Sequence, residues 1–290
     1  MPKRKIIVCS GLQRSGNHAI LDWVVSLFPG AEFRNNQPHA LFADRAALGR
    51  LLAESPADCL IFSFEDSVRH AADPSRLLLD SVAPFPAGQF PGCQLFDFAV
   101  LRDPYNNWAS RVAANDRVKS GGRPLTSDPS WELFRANWLA IAARQAADPQ
   151  SVLPFHRWKS DAAWRRALCA RLGGRYSEAT LEQVPAQGSG SSFDGVPRPS
   201  YARMMSRPGK YASAKFLSRL AARPGHYLRR LLSPPATGSR MKVDERWQVL
   251  LGRPEGRALF ADDALRAEAL RICGMAVDAQ GRKITAAAPG

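Results

Sequence analysis

No apolar run in this chain of 290 residues reaches the roughly 18 residues that a membrane-spanning helix needs. Cysteine is scarce as well. Its five copies (Cys9, Cys59, Cys93, Cys169 and Cys273) are odd in number, scattered and never spaced Cys-x-x-Cys, which argues against a disulfide framework or a zinc site. No metal is therefore expected. Cys9 and Cys93 fall in apolar strand patterns, where buried, inert thiols are the default. Acidic residues are missing altogether from 197–242, where 11 Lys and Arg supply 11 of the formal +14 charges. Because the first strand pattern follows directly on Met-Pro-Lys-Arg-Lys, no secretory leader is expected, and the expected location is cytoplasmic.

What is present begins at Ile6–Trp23, IIVCSGLQRSGNHAILDW. An apolar run leads into Gly11, four residues follow, and Gly16 opens an apolar-periodic helix at Ile20, Trp23, Val24 and Leu27. Strand, glycine-spaced loop and helix N-terminus together aim backbone N–H groups at a phosphate-like anion. The spacing is that of a Walker A loop, but Asn17 stands where its lysine belongs and His18 where its Ser or Thr would hold magnesium. Arg14, inside the loop, is the replacement cation, and its planar guanidinium suits phosphate or sulfonate oxygens. Taken alone, the loop reads better as a strand-turn-helix corner whose glycines merely permit a tight turn.

A second motif tips the balance. In FDFAVLRDPYNNWASR (96–111) a buried-strand run ends at Arg102, Asp103-Pro104 starts a helix, and Ser110 follows Arg102 by eight residues. In open α/β sheets ligands collect at the carboxyl ends of strands, where both Arg102 and the Gly11–Gly16 loop are expected.

These paired motifs resemble the sulfotransferase superfamily that uses 3′-phosphoadenosine 5′-phosphosulfate (PAPS), and in particular its bacterial branch. RSGNH is similar to the family's Lys/Arg-Ser-Gly-x-x loop, and RDPYNNWAS to its Arg-x-Pro…Ser segment. QGSGSSFDG (187–195) and MKVDERW (241–247) extend the likeness. The resemblance implies that Gly11, Arg14, Ser15, Gly16, Asn17 and His18 hold the 5′-phosphosulfate, while Arg102 and Ser110 hold the 3′-phosphate. It also implies that Ser192 and Phe193 lie at the nucleotide. The family tryptophan that stacks on adenine is Ala19 here, which leaves Phe193 as the candidate ring.

Alternating patterns predict strands at 5–10, 31–34, 58–64, 96–101 and 151–155, and helices at 17–28, 40–54, 105–118, 130–147 and 161–172. The fold expected is α/β: a P-loop-like, three-layer arrangement with a mostly parallel sheet, helices on both faces and a basic helical insertion. The domain reading is a core at 1–196, a basic insertion at 197–240, C-terminal helices at 241–280 completing the core, and a frayed tail at 281–290. Trp131, Phe134, Trp138 and Ile141 recur at helical spacing and read as core rather than as a binding box.

The activity expected is metal-independent transfer of a sulfuryl group from PAPS to a hydroxyl or amine, with carbohydrate or glycolipid preferred as acceptor from the branch resemblance. Glu65, in SFEDS at the end of the third strand pattern, is the candidate base, against the alternative that Glu65 and Asp66 merely cap a helix. His39 is the reserve base, and His18 is a candidate partner for a sulfonate oxygen. His70, His156 and His226 read as incidental. Two rivals stand beside this reading: a P-loop small-molecule kinase, and a non-catalytic module binding polyanion or membrane. The segment 197–240 suits an anionic membrane surface, which would place the protein peripherally at the inner face, or a basic lid; no nucleic-acid motif accompanies it.

Overall fold

β1 (Arg4–Gly11), β2 (Glu32–Arg34), β3 (Cys59–Glu65), β4 (Cys93–Leu101) and β5 (Val152–Pro154) lie side by side in the order β2-β3-β1-β4-β5, every neighbouring pair parallel. The computed structural model describes residues 4–67, 71, 73, 75–119, 130–181 and 245–286. These residues belong to one compact unit, which comprises Met1–Leu181 and Val243–Gly290. The basic insertion expected at 197–240 and the pair Ser192 and Phe193 lie outside the described residues.

Parallel strands need crossovers, and helices supply them. α1 (Asn17–Ser26) follows β1, α2 (Arg45–Glu54) precedes β3, and the short α3 (Leu78–Ser81) follows it. α4 (Pro104–Lys119) and α5 (Trp131–Ala147) link β4 to β5, and α6 (Phe155–Ser160) and α7 (Ala162–Leu172) come after β5. Strand alternation divides the core between two faces. Ile6 and Val8 of β1 and Leu60, Phe62 and Phe64 of β3 pack with Leu48 and Leu52 of α2 and Leu78 of α3. On the other face Lys5 donates to the Gly173 carbonyl, and Arg171 of α7 sits over the Phe98 ring. The sheet is therefore covered on both sides, as the alternating pattern predicted.

Helix starts follow their capping residues. Asp44 accepts from Ala47 N–H, Ser130 from Leu133, Asp161 from Trp164, and Asp103 from Asn106. The helix predicted from residue 40 accordingly begins at Arg45, one residue after its cap, because a capping residue itself lies outside the helix. The strand predicted over 151–155 stops at Pro154, and Phe155 opens a helix that the pattern did not reveal.

The C-terminal part corrects the expected fraying from 281. α8 (Pro254–Ala261) and α9 (Asp263–Cys273) lead into β6 (Met275–Val277), which pairs antiparallel with β7 (Lys283–Thr285). The Ala286 N–H then donates to the Gly274 carbonyl, so backbone pairing carries order through Ala286. No helix among the described residues is long and apolar enough to cross a membrane.

Candidate active site

Register places the site. Gly11, the last residue of β1, lies opposite Glu65 on β3 and opposite Val100 on β4. Arg102 follows Val100 by two residues. The loop between β1 and α1 therefore emerges with a carboxylate on one flank and a guanidinium on the other. β1 is also where the chain crosses from one half of the sheet to the other, the position at which open α/β sheets form their ligand crevice.

The loop is held open by specific geometry. Arg14 has φ +68° and Gly16 φ +91°, both left-handed. A Cβ on Gly16 would fall 2.3 Å from the Phe155 ring, and one on Gly11 only 2.1 Å from Asn17 Oδ1. Asn17, in the Walker lysine position, turns inward. Its Nδ2 donates to the Leu12 carbonyl (3.1 Å) and to Glu65 Oε1 (3.2 Å), while its Oδ1 accepts from Ser15 Oγ (2.6 Å). The side chain thus braces the loop from beneath. Among the described residues no side chain caps α1; the Ala19 N–H donates to the Gly16 carbonyl, and the N–H groups of Asn17 and His18 are the donors that the helix start can offer an anion.

On the β3 flank Glu65 is buried to 14% side-chain exposure, with His18 Nε2 3.9 Å from Oε1. Burial pushes its carboxyl up to about 7; the Asn17 hydrogen bond and the charges of Arg14 and Arg111 oppose this, and Asp66 adds to it. Burial and Arg14 hold the His18 imidazole below its ordinary value, which favours the uncharged ring. Neither carboxylate is an exposed helix cap. Asp66 instead ties the loop down. Its Oδ1 accepts from Gln13 N–H (2.6 Å) and its Oδ2 from Arg111 (2.5 Å), whose guanidinium lies over the Phe134 ring.

His39 is 2% exposed. Its Nε2 is 2.8 Å from the Glu65 carbonyl and must donate there, and its Nδ1 is 2.8 Å from Ser81 Oγ. Both nitrogens hold structure, so His39 fixes the Glu65 backbone rather than facing a reacting group.

On the β4 flank Arg102 is 4% exposed and bonds the loop directly, Nη1 donating to the Arg14 carbonyl at 3.2 Å. The indole of Trp138, part of the stripe read as core, donates to the Arg102 carbonyl at 2.8 Å. The Phe155 ring fills the space between the Arg102 guanidinium, 5.2 Å from its centroid, and Gly16. Beyond Arg102 opens a cavity of 360 Å³ that reaches Asn106 on α4, His156 and Lys159 on α6, and Trp247 and Lys283 from the C-terminal part. Ser110, one turn past Asn106, is buried and does not line it.

The sequence-predicted residues Gly11, Arg14, Ser15, Gly16, Asn17, His18, Glu65 and Arg102 therefore meet at one sheet edge. Sequence reasoning missed Gln13, Asp66 and Arg111 as the loop's anchor, and Phe155, His156 and Lys283 as cavity walls. Arg111, directly after Ser110 in the second motif, was the available signal for the first group. No group of three or more His, Cys, Asp or Glu among the described residues forms a metal site. The sequence matches no protein-family model and no curated protein. Among solved structures, mouse sulfotransferase SULT7A1 complexed with PAP is similar, at 16% identity and a TM-score of 0.44, over 93% of this chain and 85% of that one.

Proposed function

We propose that the chain is a PAPS-dependent sulfotransferase, moving a sulfuryl group to a hydroxyl or amine acceptor without a metal. The observation that carries this reading is the two-sided loop: an anion cradle with a buried carboxylate on the β3 side and a buried guanidinium on the β4 side. The lysine that an ATP-binding loop would use is replaced by Asn17, whose side chain is spent on bracing the loop. Gly-spaced backbone, the α1 N-terminus and Arg14 would hold the 5′-phosphosulfate. Arg102 would hold the 3′-phosphate, with Ser110 as its motif partner. The sequence resemblance implies Ser192 and Phe193 as further nucleotide contacts.

The donor supplies the sulfuryl group: its S–O bond to the 5′-phosphate breaks as a new S–O bond forms to the acceptor oxygen. Glu65 takes the acceptor's proton, and its raised pKa makes it a base matched to neutral pH. Uncharged His18 offers a hydrogen bond to a sulfonate oxygen. Arg14 and the loop N–H groups meet the charge that collects on the leaving phosphate. Carbohydrate or glycolipid is the acceptor class we favour, and the segment 197–240 would bring the enzyme to an anionic surface.

The direct test is transfer of labelled sulfate from PAPS to an acceptor pool by purified protein with chelator present. Transfer that persists in chelator supports the reading. Transfer of phosphate from ATP that requires magnesium, with none from PAPS, replaces it with the kinase reading.

A further inference from the structure

We infer that the cavity beside Arg102 receives a phosphate dianion together with a proton, and that His156 is the group that takes the proton. The inference rests on the reading of the donor product as a 3′,5′-bisphosphate, with its second phosphate at Arg102.

The argument starts from charge. Arg102 and Asp103 face the cavity from the β4–α4 junction, Lys159 from α6, Glu245 from the turn before α8, and Lys283 from β7. Among the described residues the cations exceed the carboxylates there by one. A phosphate monoester brings close to two negative charges at neutral pH. Lys159, Glu245 and Lys283 are exposed, so the cavity is open to solvent on that side; where a dianion meets the buried wall short of a countercharge, the ordinary remedy is a proton on the nearest titratable group.

His156 is that group. It lines the cavity on α6, and its Nδ1 is buried without a hydrogen-bond partner among the described residues. Burial, followed by the charge of Arg157 next to it, holds the ring down at about 4, so the imidazole enters the binding equilibrium uncharged. Cys273, the other titratable group on the wall, is pushed up by burial and carries no charge at neutral pH. A dianion opposes both effects at His156: an opposite charge a few ångströms away raises a histidine pKa, whereas burial and the charge of Arg157 now lower it. Binding should therefore draw a proton from solvent onto the ring, and affinity should rise as pH falls toward 6.5.

The test is calorimetry of the full-length protein with 3′-phosphoadenosine 5′-phosphate in buffers of different ionisation enthalpy. The comparisons are adenosine 5′-phosphate and the His156→Gln variant. At pH 6.5–7 the wild type should take up a sizeable fraction of a proton beyond His156→Gln, which corrects for the phosphate's own titration. Its affinity should gain about threefold to tenfold over the variant between pH 8 and 6.5. Adenosine 5′-phosphate, which lacks the second phosphate, should show no such difference. If His156→Gln does not fold, the buffer dependence of the wild type, bisphosphate against monophosphate, carries the same answer. Tight bisphosphate binding with no uptake beyond the monophosphate overturns this inference and leaves the donor reading intact. Absence of bisphosphate binding overturns both.

Discussion

In the proposed reaction Glu65 and Arg102 divide the labour at the scale of single residues, and each makes a separable prediction. With its folded pKa at about 7, above the ordinary carboxyl value, Glu65 binds its proton more tightly in the folded chain than in the unfolded one. That contribution to stability is complete below the unfolded pKa and is lost as pH rises toward 7. Glu65→Gln should therefore raise stability at pH 8 by on the order of 1–3 kcal/mol and change it little near pH 4.5. The same substitution should lower sulfate transfer by about a hundredfold or more while bisphosphate affinity holds. Wild-type turnover should rise with pH as the carboxyl ionises. Thermal melts at two pH values and a pH–rate profile check all of this, and unchanged turnover in Glu65→Gln would return the base to His18. Arg102→Ala should weaken the bisphosphate by about tenfold to a hundredfold, the loss of one charge-assisted contact. Adenosine 5′-phosphate should lose much less, and equal losses in calorimetry would remove the 3′-phosphate from Arg102.

At the scale of elements, the loop depends on a pair that neither motif named. Arg111 and Asp66 are both almost fully buried, and Asp66 also holds the Gln13 N–H. Breaking such a pair from one side leaves a buried charge without its partner, at a cost of about 3–5 kcal/mol. Arg111→Met should show that loss in denaturant unfolding. Arg111→Met with Asp66→Asn should recover part of it, since asparagine keeps an oxygen for Gln13 and carries no charge. Equal destabilisation in the single and double variants would mean that packing against Phe134, rather than charge, is what Arg111 contributes.

The same pair explains what the sequence could and could not reveal. β1, β3, β4 and their helices were legible because an apolar run between glycine, proline or acidic caps is a local signal. The loop and Arg102 were legible because each ends such a run. Asp66 to Arg111 spans 45 residues, and Phe155 over Gly16 spans 139, so no local pattern encodes either contact. His39 shows the same limit. Histidine in NNQPH invites a catalytic reading, and only its distance to the Glu65 carbonyl gives it a positioning role. α6 was missed because six residues are too few to establish a helical period, and β7 because Ala-rich sequence after it masks a three-residue strand.

For the whole molecule the decisive quantity is where the charge sits. Of the formal +14, 11 charges fall in 197–242, which leaves only +3 for the remainder of the chain. A cationic block of that kind attracts anionic surfaces at about 1 kcal/mol per Lys or Arg held close to the lipid, and the attraction fades within a Debye length. The loop and Arg102 that are proposed to hold the donor, in contrast, include buried groups at the sheet edge, where screening is much weaker. Salt should therefore separate the two. Full-length protein should sediment with vesicles containing phosphatidylserine at about 20 mM salt and be released well before about 500 mM, while neutral vesicles retain none. Bisphosphate affinity over the same range should fall by less than about tenfold, since contacts to buried cations are only partly screened. Vesicle binding that ignores salt would make the attachment hydrophobic. No binding to anionic vesicles even at low salt would remove the membrane reading of 197–240 and leave the basic-lid reading in its place.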